Sequence, residues 1–201
     1  MDYTTTVLVK DEIHGLTTGR DTLITRLVTA VSRRTDRYCA GTSEADSDNY
    51  FQLADVANEV LYCNVQQFEK LLVFPHKPRI ASVSSIMWRG RPDQPWNTVA
   101  VNQIDIRSPR VYAYIGGSEW DVPESVTVKI SYRGGLGAAQ ADLPADLIQH
   151  VTVWAARAFK EAATGLTDQI GMDELGIISY VKAIPATVAD GLQPYRRVVL
   201  W

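Results

Sequence analysis

The chain has 201 residues, 46% of them hydrophobic and 21% charged, with a formal net charge of −3. That length buries a sizeable core without disulfide or metal staples, and a mildly acidic chain lacks the basic field that drives nucleic-acid binding. No stretch approaches the ~20 continuous apolar residues of a membrane helix, and the opening MDYTTTVLVKDE lacks the basic start, apolar run and cleavage site of a signal peptide.

A short helix is expected near KDEIHGL. Beyond it, Leu23, Ile24, Leu27, Val28, Val31 and Tyr38 recur at helical spacing with charges between them. The spacing predicts a helix over 21–38, with Asp21 as its N-cap and Ala40-Gly41 as its end. A polar loop, GTSEADSDN, follows. From Tyr50 to Tyr132 the pattern changes to EVLYCNV, KLLVFP, ASVSSIMW, NTVAVNQIDI, RVYAYI and VTVKISY, short runs rich in β-branched and aromatic residues and separated by Pro, Gly and Asn. In the last run Val126, Val128, Ile130 and Tyr132 alternate with Thr127, Lys129 and Ser131, the pattern of an antiparallel strand with one buried and one wet face.

The helical period returns after Asp142. Leu147, Ile148, Val151, Trp154, Ala155, Ala158, Phe159 and Ala162 form one apolar stripe, with Pro144 in the first turn and Gly165 as the stop. Leu27, Val31, Trp154, Ala158 and Phe159 are expected to be buried where the two long helices meet. Residues 166–201 show no long period and carry the breakers Pro185, Gly191 and Pro194. The chain is therefore expected to be α+β: a helical body with helices at about 21–38 and 144–163, an inserted block of short antiparallel strands at about 50–132, and an irregular C-terminal tail. As a single domain over 1–201 it divides into a helical part (1–49 and 142–165), a strand-rich insertion (50–133) and a tail (166–201).

The stretch RGGLG invites comparison with a phosphate-binding loop, because it follows the strongest strand and precedes the strongest helix. No Lys-Ser or Lys-Thr follows the glycines, the G-x-G-x-x-G spacing is absent, and AAQAD separates them from the helix start. The glycines are expected to let the chain leave a sheet and turn into a helix. Cys39 and Cys63 read as partly buried free thiols in a reducing compartment, although a bridge between them stays open. His14, His76 and His150 are scattered, no nucleophile elbow occurs, and the pairs Asp46/Asp48 and Asp173/Glu174 read as solvated loops. No catalytic, cofactor-binding or metal-binding residue is assigned, and the chain is not read as an enzyme.

Two segments suggest contact instead. MWRGRPDQPW brings Trp88, Arg89, Arg91 and Trp96 together, either at a hairpin tip, at a protein interface, or on nucleic acid through stacking and phosphate contacts. The tail ends YRRVVLW, where Tyr195, Arg196, Arg197, Val199, Leu200 and Trp201 combine aromatic and Arg anchors with an apolar end that needs a surface to cover it. That surface is either the chain's own body or a neighbour's.

In order, DRYCAG closing a helix, VFPHKPRIASVSSI, an alternating strand ending in Tyr and Gly, LPADLIQHVTVWAARAF, and AIPATVADGLQPYRR cover most of the chain from about Asp21 onward. This sequence of motifs resembles the head–tail connector (adaptor, head-completion or DNA-packaging) proteins of tailed bacteriophages. The resemblance implies a structural virion protein at the neck, assembled in the host cytoplasm. Copies, typically twelve, would form a ring under the portal that joins the head to the stopper or tail. Implied partners are the portal protein, a stopper or tail protein, further copies of the chain, and viral DNA passing through the lumen without sequence recognition; no cofactor and no membrane are implied. Under that resemblance the tail residues would meet the portal or an adjacent copy, and Glu44, Asp46 and Asp48 would face the lumen. The alternatives are a stopper or tail-completion protein of the same neck, and a small nucleic-acid-binding module using Arg89–Trp96.

Overall fold

A computed structural model describes residues 1–13, 19–41, 49–66, 70–115, 124–163, 169–172, 176–179 and 184–197. The fold is α+β. It divides into two compact units, one formed by Met1–Asn49 with Ala139–Trp201 and the other by Tyr50–Ala138.

The first unit holds α1 (Thr6–Glu12), α2 (Asp21–Ala40), α3 (Ala145–Ala163) and α4 (Ala186–Leu192), with α1, α2 and α4 all packed on α3. The Thr5 hydroxyl accepts from the Leu8 N–H and starts α1. In α2 the N-cap is Arg20 rather than Asp21. Arg20 makes no side-chain cap bond, and Asp21 instead sits in the first turn, where a carboxylate suits the helix dipole. Gly41 closes α2 at φ 72°, its N–H donating to the Arg37 carbonyl at 3.0 Å. The α3 stripe is realised: Leu147, Val151, Trp154, Ala155 and Phe159 are buried, and so are Ile24, Val28 and Val31 from α2. Leu27 and Ala158, at the margins of their stripes, are half-buried. Each large aliphatic side chain buried this way contributes about 1.5–3 kcal/mol.

The tail departs from expectation. It carries a hairpin, β8 (Gln169–Met172) with β9 (Gly176–Ser179), and then α4, whose Val188 and Leu192 are fully buried. Gly191 had the look of a breaker, yet it lies inside α4. A Cβ there would fall 2.1 Å from the His150 ring, so glycine is present for the close approach of α4 to α3 and not to end a helix. Seven residues are too few for a 3.6-residue period to show in sequence.

The second unit is a seven-stranded antiparallel sheet in the order β4-β3-β7-β1-β2-β6-β5. The strands are β1 (Ala54–Gln66), β2 (Lys70–Val73), β3 (Ile80–Arg89), β4 (Asn97–Thr98), β5 (Ile104–Arg107), β6 (Arg110–Tyr114) and β7 (Ser125–Gly134). The last strand, β5, returns against β3, so the sheet curls on itself. Its concave side is the core, filled by Leu71, Val73, Ile86, Val111, Val128 and Ile130 among others. The alternation in β7 is as expected, with Val126, Val128, Ile130 and Tyr132 buried. Two strands differ from the sequence reading. NTVAVNQIDI breaks into β4, a 3₁₀ turn at Val101–Gln103 and β5, with Val101 exposed. Strand β1 begins five residues before EVLYCNV, because a bulge between Val56 and Glu59, with Asn58 at φ 56°, interrupts its alternation.

Candidate functional site

The glycine loop is occupied by its own unit. The Gly135 N–H donates to the Arg79 carbonyl at 2.8 Å, Leu136 N–H to Phe51 at 2.8 Å, and Gly137 N–H to the same carbonyl at 3.4 Å. These amides are already spent on protein, so the loop is no phosphate cradle. Gly135 has φ 132°, and a Cβ there would sit 2.4 Å from the Gln52 carbonyl oxygen. The glycines let two backbones touch.

Two polar clusters escaped sequence reasoning because their members are far apart along the chain. In the helical unit Asp36 is fully buried. It accepts from the Tyr3 hydroxyl and from the Asn49 N–H at 2.7 Å, and it pairs with Arg33 at 3.1 Å. The Tyr3 N–H also donates to Ser32 Oγ at 3.0 Å. A buried carboxylate with these partners ties the first residues to α2. In the strand unit the Tyr132 hydroxyl donates to Glu59 Oε2 at 2.6 Å, while the His76 N–H donates to Glu59 Oε1 at 3.0 Å and the His76 ring meets the same oxygen. Burial, followed by the Glu59 charge, pushes the Tyr132 hydroxyl well above its ordinary range. A tyrosine held protonated in this way is neither base nor nucleophile, and the triad serves to anchor the segment around His76 to β1 and β7. Among the described residues no cluster of His, Cys, Asp and Glu has a metal-binding arrangement.

Both cysteines are free and buried. Burial, then Asp36, raises Cys39 to about 12, and burial raises Cys63 to about 11. Neither is a reactive thiolate at neutral pH.

The Trp88–Trp96 segment divides between two faces. Trp88 lies opposite Val128 and packs against the sheet core. Arg89 lies opposite Thr127 on the outer face, and its guanidinium stacks 4.4 Å from the centre of the Trp96 ring. Lys129 approaches the same ring at 4.4 Å. Arg91 is exposed at the hairpin tip, where its N–H donates to Gln94 Oε1.

The described part of the tail lies on its own unit. The Tyr195 hydroxyl is 2.7 Å from both carboxylate oxygens of Asp146 at the start of α3. That bond is the largest cause lowering the Asp146 carboxyl below its ordinary range. Arg196 stacks on Tyr38 at 4.9 Å. The Arg197 N–H donates to the Cys39 carbonyl at 2.7 Å and so satisfies a carbonyl in the last turn of α2. Val199, Leu200 and Trp201 lie outside the described residues, as do Glu44, Asp46 and Asp48. Among the described residues no helix is long and apolar enough to cross a membrane.

No protein-family model matches the sequence, and no curated protein matches it. Solved structures do share the fold. One is a chain in the neck of an empty gene transfer agent (GTA) particle computed with C6 symmetry, with TM-score 0.53 and 17% identity over 98% of this chain and 90% of that one. Another is a chain of the virion of a native GTA particle, with TM-score 0.51 and 16% identity over 98% of this chain and 90% of that one.

Proposed function

We propose that the chain is a structural, non-enzymatic subunit of the neck of a tailed-phage-like particle, a head–tail connector whose copies form a ring under the portal. The observation that carries this reading is the likeness of fold over 98% of the chain to a chain in a GTA neck. The order of sequence motifs supports it independently. A cyclic arrangement requires one surface of a copy to fit a different surface of the next. The same neck is computed with C6 symmetry in the GTA particle.

In this role the ring joins the head to a stopper or tail protein, with twelve copies as its expected order and DNA passing through its centre without sequence recognition. Val199, Leu200 and Trp201 dock on the portal or on an adjacent copy, with Tyr195, Arg196 and Arg197 holding the root of the tail to the helical unit, and Glu44, Asp46 and Asp48 face the lumen. The virion neck is its location, after assembly in the host cytoplasm. A stopper or tail-completion protein is the nearest rival; the 19-residue α3 and the helices packed on it favour the connector. Imaging a particle neck in which this chain carries a bulky tag decides the matter. A ring of tags between portal and tail is the expected result, and tags elsewhere in the particle would exclude the connector role.

A further inference from the structure

The outer face of the strand unit leaves large side chains uncovered at the middle of its sheet. Tyr62 is 87% exposed and Val60 50% exposed, both on β1. The register sets their neighbours. Val60 and Met87 flank Lys129 in one row across the sheet, and Tyr62 and Arg89 flank Thr127 in the next. With strands ~4.8 Å apart, two such rows form a compact patch. Trp96 extends it, stacked against Arg89 and Lys129. Among the described residues neither of those cations pairs with a carboxylate. Exposed Tyr62 and Val60 beside half-buried Trp96, Met87 and Arg89 have the composition of an interface core, not of a solvated sheet face.

The helical unit carries a surface of the opposite sign. On α1, Val7 is 66% exposed and Leu8 39% exposed. Each has an acid four residues on, Asp11 after Val7 and Glu12 after Leu8, both exposed. Residues at that spacing are neighbours on a helix surface. Among the described residues neither acid pairs with a cation, whereas the adjacent Lys10 is taken by Asp21 at 2.5 Å. Charge separates by unit as well. Residues 50–138 carry nine Lys and Arg against eight Asp and Glu, and the remaining residues carry eleven against fifteen.

We infer that the outer sheet face of one copy receives α1 of a second copy, with Val7 and Leu8 against Tyr62, Val60 and Trp96, and Asp11 and Glu12 on Arg89 and Lys129. The contact is heterologous, since two different surfaces meet, and such contacts propagate from copy to copy until a ring closes. The inference deepens the connector reading by naming the subunit contact, and it rests on that reading only for ring closure.

Mixed cross-linking tests it. One preparation carries Leu8→Cys and the other Tyr62→Cys; the native thiols are buried and stay out of the reaction. On oxidation at high concentration the mixture is expected to give the disulfide-linked heterodimer in preference to either homodimer. Adding Arg89→Glu and Lys129→Glu to the Tyr62→Cys chain should cut the yield by about tenfold or more, because like charges then oppose each other. Adding Asp11→Lys and Glu12→Lys to the Leu8→Cys chain should restore it. Unfolding transitions separate lost contact from lost fold: Leu8, Tyr62, Asp11 and Glu12 are exposed and their variants should unfold as the parent does, while Arg89→Glu and Lys129→Glu, half-buried beside Trp96, should still unfold in one cooperative transition. Equal yields for all pairs, no cross-link, or a yield indifferent to charge reversal would overturn the inference. So would suppression of the cross-link by a DNA duplex, which would assign the face to nucleic acid. A ring seen in the particle neck with no such cross-link would remove this contact and leave the connector reading intact. A cross-link with no ring in the neck would do the reverse.

Discussion

Glycines and cysteines carry two predictions at the scale of single residues. Gly135 holds φ 132° against the backbone of Gln52 and Leu53. Gly135→Ala is expected to cost at least ~1–3 kcal/mol from the strained conformation, and more from the clash, read as a lower urea midpoint at unchanged slope. The motif was visible in the sequence and its role was not, because a close backbone approach depends on Phe51–Leu53, some eighty positions away. The thiols make stability pH-dependent. Folding raises Cys63 from its ordinary value of 9.0 to about 11, and Cys39 from 9.0 to about 12. The folded state thus holds these protons more tightly than the unfolded state does. The associated stability is complete below pH 9 and drains away as pH rises from there through 11 and 12. Melting temperature followed from pH 8 to 11 should fall, and Cys63→Ala should flatten the fall. An equal slope in the variant would place the alkaline sensitivity elsewhere.

At the scale of elements, the helices with long stripes were legible and the short pieces were not. Helix α3 announces itself by eight apolar positions, and Trp154 lies buried at its middle. Trp154→Ala should cost about 3–5 kcal/mol, as large-to-small core changes do, measured by equilibrium unfolding. Helix α4 has seven residues, and its glycine serves packing against His150. Nothing local marks it as a helix. The tail therefore splits into two parts with different expected behaviour. Ending the chain at Pro185 removes buried Val188 and Leu192, worth together roughly 3–6 kcal/mol, and should lower the melting temperature by on the order of 10 °C. Ending it after Arg197 should leave the melting temperature unchanged and abolish joining of heads to tails, if Val199, Leu200 and Trp201 dock on a partner. A large loss of stability from the shorter deletion would mean that these residues complete the core instead.

At the scale of the whole molecule, the order of helix, strand block and helix was readable because hydrophobic period changes from 3.6 to 2 and back. The clusters around Asp36 and Glu59 were not, since each depends on a residue distant in the chain, Tyr3 for Asp36 and Tyr132 for Glu59, 33 and 73 positions away. Charge, in contrast, is plain in the sequence and bears directly on function. In the proposed connector role a wall that lets DNA slide must not hold it, and a chain with net charge −3 has no excess of cations to release condensed counterions from the duplex. The cations of the strand unit are also partly committed, Arg89 and Lys129 to Trp96 and Lys70 to Tyr112 at 4.2 Å. Fluorescence anisotropy with a labelled duplex is expected to show no saturable binding at physiological salt and a shallow salt dependence below it. A steep slope, equivalent to several phosphates neutralised per chain, would be incompatible with free passage of DNA. If Arg89→Glu and Arg91→Glu then abolished that binding, the strand unit would be a nucleic-acid-binding module in its own right.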